Sequence, residues 1–217
     1  GLRYVAQEIK EYKPTHLILV PLFLEKLNAK IWSKAEAAGK DKLLRRMMKI
    51  SNALRKVGID LRRKLFKSVL EPLGGELELV ICGGAALKQE IIDTFDGIGI
   101  TILNGYGITE CAPLVSCNRN KKSKPGSVGI PIKDEEIKIK DPNEDGEGEI
   151  CVRGPNVMLG YYKEPEATAA VFDEEGYFRT GDLGKLDEDG WLYITGRLKN
   201  LIILSNGKNV YPEEIEL

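Results

Sequence analysis

Three short apolar runs, at 16–20, 77–82 and 100–103, are separated by helical patterns, and the last two are followed by glycine-bearing loops. This order constrains the fold more than any other feature of the 217-residue chain. The first run, Thr15-His-Leu-Ile-Leu-Val20, lies between Pro14 and Pro21, and the second follows the break Pro72-Leu-Gly-Gly75. Apolar runs this short, bounded by proline and glycine, read as strands. Residues 2–11 read as a helix, 22–38, 42–57 and 61–70 as three more separated by Gly39 and Gly58, and 88–95 as another. The alternation predicts an α/β fold, with a layered, mostly parallel sheet and helices, and with 22–70 as a helical insertion between strands. In open sheets of this kind ligands bind at the carboxyl ends of the strands, the edge from which residues 83–86 and 104–110 depart.

From Lys121 the texture changes to short strands with close turn punctuation: Gly126-Ser-Val-Gly-Ile-Pro131, then 136–140, Asp141-Pro-Asn-Glu-Asp-Gly146 and 148–153. Spacing this tight predicts a small, distorted β-barrel subdomain running to about Thr195, with Asp187-Glu-Asp-Gly190 as a hairpin turn. The expected organisation is a layered α/β part over 1–120, a barrel-like part over 121–196, and a hinge with the start of an incomplete further domain over 197–217. No internal repeat or low-complexity tract is present.

Composition excludes several classes. A hydrophobic fraction of 42% and a charged fraction of 30% are ordinary for a folded, soluble chain. No apolar run reaches the roughly 18 residues of a membrane span, and the first residues lack the order of a secretory signal, so a cytoplasmic location is expected. Cys82, Cys111, Cys117 and Cys151 have neither zinc-site spacing nor disulfide density and read as reduced, packed thiols. His16 is the only histidine, and its place in an apolar run suits a core or strand-end residue rather than a nucleophile's base, which argues against serine hydrolase chemistry.

Net charge is −1, yet residues 40–70 hold eleven Lys or Arg against Asp41 and Asp60. Such a stretch can serve nucleic acid, anionic lipid or ligand phosphates. A solvated helix face is the simpler reading, because Leu43, Leu44, Met47, Ala53, Leu54 and Val57 supply a stripe at helical spacing expected to be buried. No aromatics interleave with these charges to stack bases, so a nucleic-acid partner is not expected.

Four segments carry residues suited to chemistry. Gly83 and Gly84, with Ala85, follow a buried strand and permit close approach of backbone to a ligand, although a tight strand-to-helix turn uses the same residues. Asn104-Gly-Tyr-Gly-Ile-Thr-Glu110 brings together Asn104, two glycines (Gly105 and Gly107), the Tyr106 ring to stack on a base, the Thr109 hydroxyl for a phosphate, and the Glu110 carboxylate for Mg²⁺. The alternative is a glycine-bracketed turn with Thr109 as a helix cap and Glu110 in the first turn. Asp182, after Arg179-Thr-Gly, can accept from two neighbouring hydroxyls, or it is a turn residue. In Gly196-Arg-Leu-Lys199, Arg197 offers a rigid fork and Lys199 a mobile point charge.

Taken in order, Asn104 to Glu110, Tyr177-Phe-Arg-Thr-Gly-Asp-Leu183, and Gly196-Arg-Leu-Lys-Asn200 running into Ser205-Asn-Gly-Lys-Asn-Val-Tyr-Pro-Glu-Glu-Ile-Glu216 resemble the nucleotide-handling segments of the adenylate-forming superfamily, above all its fatty acyl-CoA synthetases. The resemblance implies activation of a carboxylic acid with ATP and Mg²⁺, giving an acyl-AMP, and transfer of the acyl group to CoA. It implies that Gly83, Gly84 and Ala85 lie against adenine, that Asp182 holds the ribose diol, that Arg197 touches the nucleotide, and that Thr109 and Glu110 act at phosphate and metal. Lys199 would occupy a hinge where many members carry Asp, and Gly207-Lys-Asn209 would meet substrate after rotation. The blocks 126–131 and 146–162 also match and read as structural.

Two parts the family uses are not found: a Ser/Thr-Gly-rich loop ending in Lys-Gly, and a late Gly-Lys segment. The sequence therefore resembles an internal piece that would hold part of an AMP-like ligand without turning over by itself. The expected partners are a carboxylic acid, with fatty acid preferred, and CoA, with peripheral membrane contact a further option and the oligomeric state undetermined. Rival readings are adenylation of an amino or aryl acid for a carrier protein, a non-catalytic nucleotide-binding module, and RNA binding by the basic helices.

Overall fold

The structure, a computed structural model, describes residues 2–85, 87–119, 122–200, 202–203 and 209–210. Its contacts divide into two compact units, Gly1–Leu103 and Asn104–Leu217.

In the first unit, helix α1 (Leu2–Tyr12) leads to strand β1 (His16–Leu19) and helix α2 (Pro21–Ala37), which opens on a proline whose missing N–H would have had no helical partner. Helices α3 (Asp41–Lys56), α4 (Arg62–Leu65) and α5 (Lys67–Leu70) follow, then strand β2 (Leu79–Cys82), helix α6 (Gln89–Ile98) and the first residues of strand β3 (Thr101–Gly107). β1 and β2 pair in parallel, His16 opposite Leu79 through Leu19 opposite Cys82, and the Thr101 N–H donates to the Glu78 carbonyl at 2.8 Å. The mostly parallel, layered α/β class expected from the alternating pattern is what this chain adopts. Helix α6 stops at Gly99, whose φ of +98° is open to glycine at little cost. Its buried Phe95 and Ile98 pack with Leu24, Phe66, Val80 and Ile100 in one apolar core.

The helical insertion corrects two expectations. The pattern at 61–70 is two short helices, because Phe66, at φ −105° and ψ 20°, ends one and caps the other. Arg63 beside the break donates to the Leu77 carbonyl at 2.9 Å and the Gly75 carbonyl at 2.6 Å, tying this segment to the approach of β2. On α3 the inward face is Leu44, Met47, Met48 and Ser51, one helical stripe. Leu43 and Val57, expected in that stripe, are 52% and 71% exposed, and Ala53 is exposed too. Lys42, Arg45, Arg46 and Lys49 face solvent, as a solvated face requires. His16 is an exposed strand-end residue with Nδ1 2.9 Å from the Thr15 hydroxyl.

In the second unit β3 does not stop at Leu103; it continues through Asn104, Gly105, Tyr106 and Gly107 and pairs antiparallel with β4 (Leu114–Cys117), which pairs with β5 (Ile130–Pro131). Strands β6 (Glu136–Lys140), β7 (Gly148–Arg153), β8 (Phe178–Leu186) and β9 (Leu192–Arg197) form an antiparallel sheet in that order, with helix α7 (Pro165–Val171) between β7 and β8. The described pairings leave this sheet open, and the barrel-like closure expected from the spacing is not among them. Cys111, Val115, Ile150, Val152, Phe178 and Leu192 make its core. The Asp187 turn forms as expected, its carboxylate accepting the N–H groups of Asp189 and Trp191 at 3.0 and 2.9 Å. A short ribbon of β10 (Ile202–Ile203) and β11 (Asn209–Val210) follows, and the glycine loop expected at 207–209 lies, except for the Asn209 backbone, outside the described residues.

Candidate functional site

The site is built on three neighbouring pieces of the second unit: the end of β3, the 3-10 turn Thr109–Cys111, and the paired strands β8 and β9. On β3, side chains alternate, and an irregularity in the β3–β4 pairing falls between Tyr106 and Gly107. Two of the glycines expected to flex around a ligand are closed in by backbone. A Cβ on Gly105 would lie 3.1 Å from the Ser116 carbonyl oxygen, and one on Gly107 would collide with the Pro113 carbonyl. Both let β4 approach β3 closely. Gly84, in the first unit, has a φ of +92° with open space where a Cβ would stand, so backbone conformation alone favours glycine there. Gly83 is half-buried, and Gly84 and Ala85 are exposed at the carboxyl end of β2.

Asp182 is the centre of the arrangement. It is 5% exposed, and each of its oxygens accepts one strong hydrogen bond: Oδ2 from the Tyr106 hydroxyl at 2.6 Å and Oδ1 from Arg197 Nε at 2.6 Å. Strand register explains the second contact, since Asp182 and Arg197 are direct cross-strand partners. Burial, then the Asp182 charge, pushes the Tyr106 hydroxyl well above the usual tyrosine range, so it stays a donor. The Asp182 carboxylate likewise raises Arg197, with Glu110 adding to the negative field. Arg197 is exposed, and its terminal amino groups make no hydrogen bond among the described residues.

Glu110 lies in the 3-10 turn, where its Oε1 accepts from the Tyr161 hydroxyl at 3.0 Å; Oε2 accepts nothing among the described residues. Thr109 is exposed and is the first residue of the turn, not its cap; Ile108 occupies that position, with no side-chain capping bond. The Thr109 hydroxyl also has no hydrogen bond among the described residues. Ala112, at φ +52°, ends the turn, and Asn156 pins it by donating to the carbonyls of Cys111 and Leu114, both at 2.8 Å. Asn104 is buried with its side-chain oxygen unpartnered.

The structure thus joins Tyr106, Asp182 and Arg197 directly and sets Glu110 within their electrostatic reach. Lys199 is exposed on the turn Leu198–Asn200. Gly83, Gly84 and Ala85 belong to the first unit. Three residues given no chemistry from sequence support the site. Tyr161 orients Glu110. Glu149, 8% exposed, accepts from Arg179 at 2.9 Å and from the Gly181 N–H at 3.2 Å, holding the turn that delivers Asp182. Thr180 accepts the Asp182 N–H at 3.1 Å and donates to the Ile150 carbonyl at 2.8 Å. These pairings reach across 30 to 51 residues, or lie within a strand turn, and no local motif marks them.

A carboxylate with a free oxygen beside an exposed hydroxyl fits Mg²⁺, which takes one or two protein carboxylates and completes its shell with water and phosphate. Among the described residues no three His, Cys, Asp or Glu side chains gather into a protein-only metal cage. The cysteines are free; burial pushes Cys82 and Cys151 to about 11 and Cys111 to about 12, so these thiols stay protonated and inert at neutral pH.

A model of the AMP-binding enzyme family matches residues 2–162. The chain belongs to the AMP-binding enzyme family. It is 33% identical over 228 residues to human long-chain-fatty-acid–CoA ligase 1, covering 99% of this chain and 32% of the relative. It is 32% identical over 272 residues to the probable acyl-activating enzyme 16, chloroplastic, of Arabidopsis thaliana, covering 100% of this chain and 38% of the relative. Among solved structures it resembles O-succinylbenzoate coenzyme A synthetase from Bacillus subtilis in complex with ATP and magnesium ion, with a TM-score of 0.71 and 27% identity over 100% of this chain and 38% of that one. ATP-bound MatB from Rhodopseudomonas palustris is equally similar, with a TM-score of 0.71 and 28% identity over 100% of this chain and 37% of that one. The chain spans 32–38% of the length of these relatives. No described helix is long and apolar enough to cross a membrane.

Proposed function

We propose that this family member is the nucleotide-handling segment of an ATP-dependent acid–thiol ligase of the long-chain-fatty-acid–CoA type. The observation that carries this reading is the Asp182 carboxylate, buried and held between Tyr106 and Arg197. Each carboxylate oxygen uses one lone pair on protein and keeps another, which suits the two hydroxyls of a ribose. The free amino groups of Arg197 suit nucleotide oxygens, the Tyr106 ring suits adenine, and Asn104 with Gly105 and Gly107 forms the strand that carries that ring. The Thr109 hydroxyl would donate to a phosphate and Glu110 would hold Mg²⁺, which when bound neutralises phosphate charge. The adenine-loop role that the resemblance implies for Gly83, Gly84 and Ala85 belongs to the same reading. So do Lys199 as a hinge and the three-part organisation at 1–120, 121–196 and 197–217.

In the reaction so assigned, a carboxylate oxygen of the acid attacks the α-phosphorus of ATP and pyrophosphate leaves; the CoA thiol then attacks the acyl carbon and AMP leaves. The names of the relatives support a fatty acid as substrate with CoA as partner, whereas the likeness to O-succinylbenzoate coenzyme A synthetase favours an aryl acid as the second reading. A cytoplasmic location is part of the proposal and rests on the sequence pattern alone. Pyrophosphate release across a series of acids, measured on a full-length ligase containing this sequence, separates the two. For the site itself, calorimetric titration with AMP should show affinity at least about tenfold weaker in Asp182→Ala, a loss of one charge-assisted contact. Unchanged affinity in a folded variant removes the ribose assignment.

A further inference from the structure

The helical insertion of the first unit borders an open recess of about 260 Å³ that none of the nucleotide chemistry uses. Its walls are apolar and come from four helices: Ile9 of α1, Leu27 and Ile31 of α2, Leu44 and Met47 of α3, and Val69 of α5. The open side carries three cations. Lys30 and Lys34 stand one turn apart on the same face of α2, and Lys40 precedes α3. All three are exposed, and none has an acidic partner among the described residues. Leu43 and Leu65, 52% and 38% exposed, also line the recess, so apolar surface runs from the interior to the cationic rim.

We propose that this recess binds a single-chain anionic amphiphile, a free long-chain carboxylate, with the hydrocarbon chain between α2, α3 and α5 and the head group on Lys30, Lys34 and Lys40. The volume falls just under the roughly 300–1,000 Å³ of drug-sized pockets, which suits one unbranched chain. An apolar interior rewards a chain, and three ammonium groups at one edge, with no acidic partner among the described residues, select a negative head over a neutral or positive one. A bilayer surface would answer the same charges, but a recess walled by helices takes one chain out of water along much of its length and needs no lipid plane. The inference rests on the recess alone and is independent of the ligase reading.

The chain has three methionines, Met47, Met48 and Met158, and only Met47 lines the recess. The 217-residue chain labelled with ¹³C at the methionine methyls therefore gives a local readout. Titration with dodecanoate, below micelle formation, should move the Met47 resonance saturably and leave Met158 in place. Octanoate should bind at least about tenfold more weakly, since each buried methylene is worth roughly a factor of four. Dodecyltrimethylammonium should bind at least about fivefold more weakly than dodecanoate, and Lys30→Gln with Lys34→Gln should weaken dodecanoate by a similar factor with an unchanged unfolding midpoint. No movement of Met47 overturns the proposal, as does equal affinity for the two head groups or for the lysine variant. Lysine-dependent cosedimentation with phosphatidylglycerol vesicles, without any Met47 response to dodecanoate, overturns it in favour of a membrane-facing surface. Because the readout is at Met47, a chain bound at an acid site elsewhere does not imitate success.

Discussion

The two units are built on opposite chemistry. In the first, the residues that matter most for architecture are apolar and fully buried, and polar groups mostly stay on the outside. In the second, Asp182 and Glu149 are polar and buried, and each is held by polar groups from another segment. Asp182 at 5% exposure and Phe95 at 0% occupy comparable depth, yet one is placed by two charge-assisted hydrogen bonds and the other by packing alone. Apolar burial tolerates small displacements, because it is non-directional. A buried carboxylate does not, since an unmatched donor or acceptor forfeits its solvation without return. The placement of Asp182 therefore depends on strand register in a way that the placement of Phe95 does not.

The largest effect that tests this contrast comes from the first unit. Phe95→Ala should lose about 3–5 kcal/mol of unfolding free energy in urea, monitored by circular dichroism, through lost burial and the cavity left behind. A loss under about 1 kcal/mol would mean that α6 collapses into the space and that this core is less tightly packed than described. Next in size is Glu149→Gln in the second unit. It removes the charge that Arg179 faces and leaves one acceptor for two donors, at a cost of about 1–3 kcal/mol. The same loss in Arg179→Gln would show the pair acting as one unit in a double-mutant cycle.

The smallest effects concern pH and carry opposite signs in the two units. Hydrogen bonds from Arg62 hold the Asp60 carboxyl at about 2, below its ordinary 3.8. The stability it contributes is present above about 3.8 and is lost as pH falls toward 2. With the Asp60 side chain 49% exposed, screening keeps the contribution under about 1 kcal/mol. Asp60→Asn should therefore cost stability at pH 6 and less at pH 3. Glu135, 8% exposed, has neither oxygen in hydrogen-bond geometry, and burial raises it above 4.5, the nearby Asn156 N–H offsetting this only in part. Its ionisation opposes folding, so its penalty appears as pH rises through and above 4.5. Glu135→Gln should be neutral at pH 4 and relatively stabilised at pH 8, by the same urea measurement. Parallel pH responses in both variants would dissolve the contrast between the units.

Much of the first unit was legible in the linear pattern. The helix expected at 2–11, the strand before Pro21 and the strand ending at Cys82 follow from short-range apolar period and from proline and glycine, whereas the helix expected over 88–95 runs on to Ile98, where Gly99 caps it. What misled was detail within the period: Leu43 and Val57 fit a helical stripe by residue type, but the face that packs carries Met48 against Gly97 of α6, a contact no local window contains. In the second unit, the motif at 104–110 was visible, whereas its conformation was not. A glycine-rich stretch reads as a loop, and here it is strand because β4 lies close enough to need glycine at 105 and 107.

By itself, the amino-acid sequence determined the α/β class, the order of most elements, the family, and the identities of Tyr106, Glu110, Asp182 and Arg197 as groups with chemistry to offer, because residue type and short-range spacing carry that information. Tertiary structure alone decided that Tyr106 meets Asp182 across 76 residues, that Tyr161 holds Glu110 across 51, and that Glu149 supports the Arg179–Gly181 turn. Hydrogen bonds between buried side chains depend on distances and angles that exist only once strands have paired in register, and no residue type specifies its partner in advance.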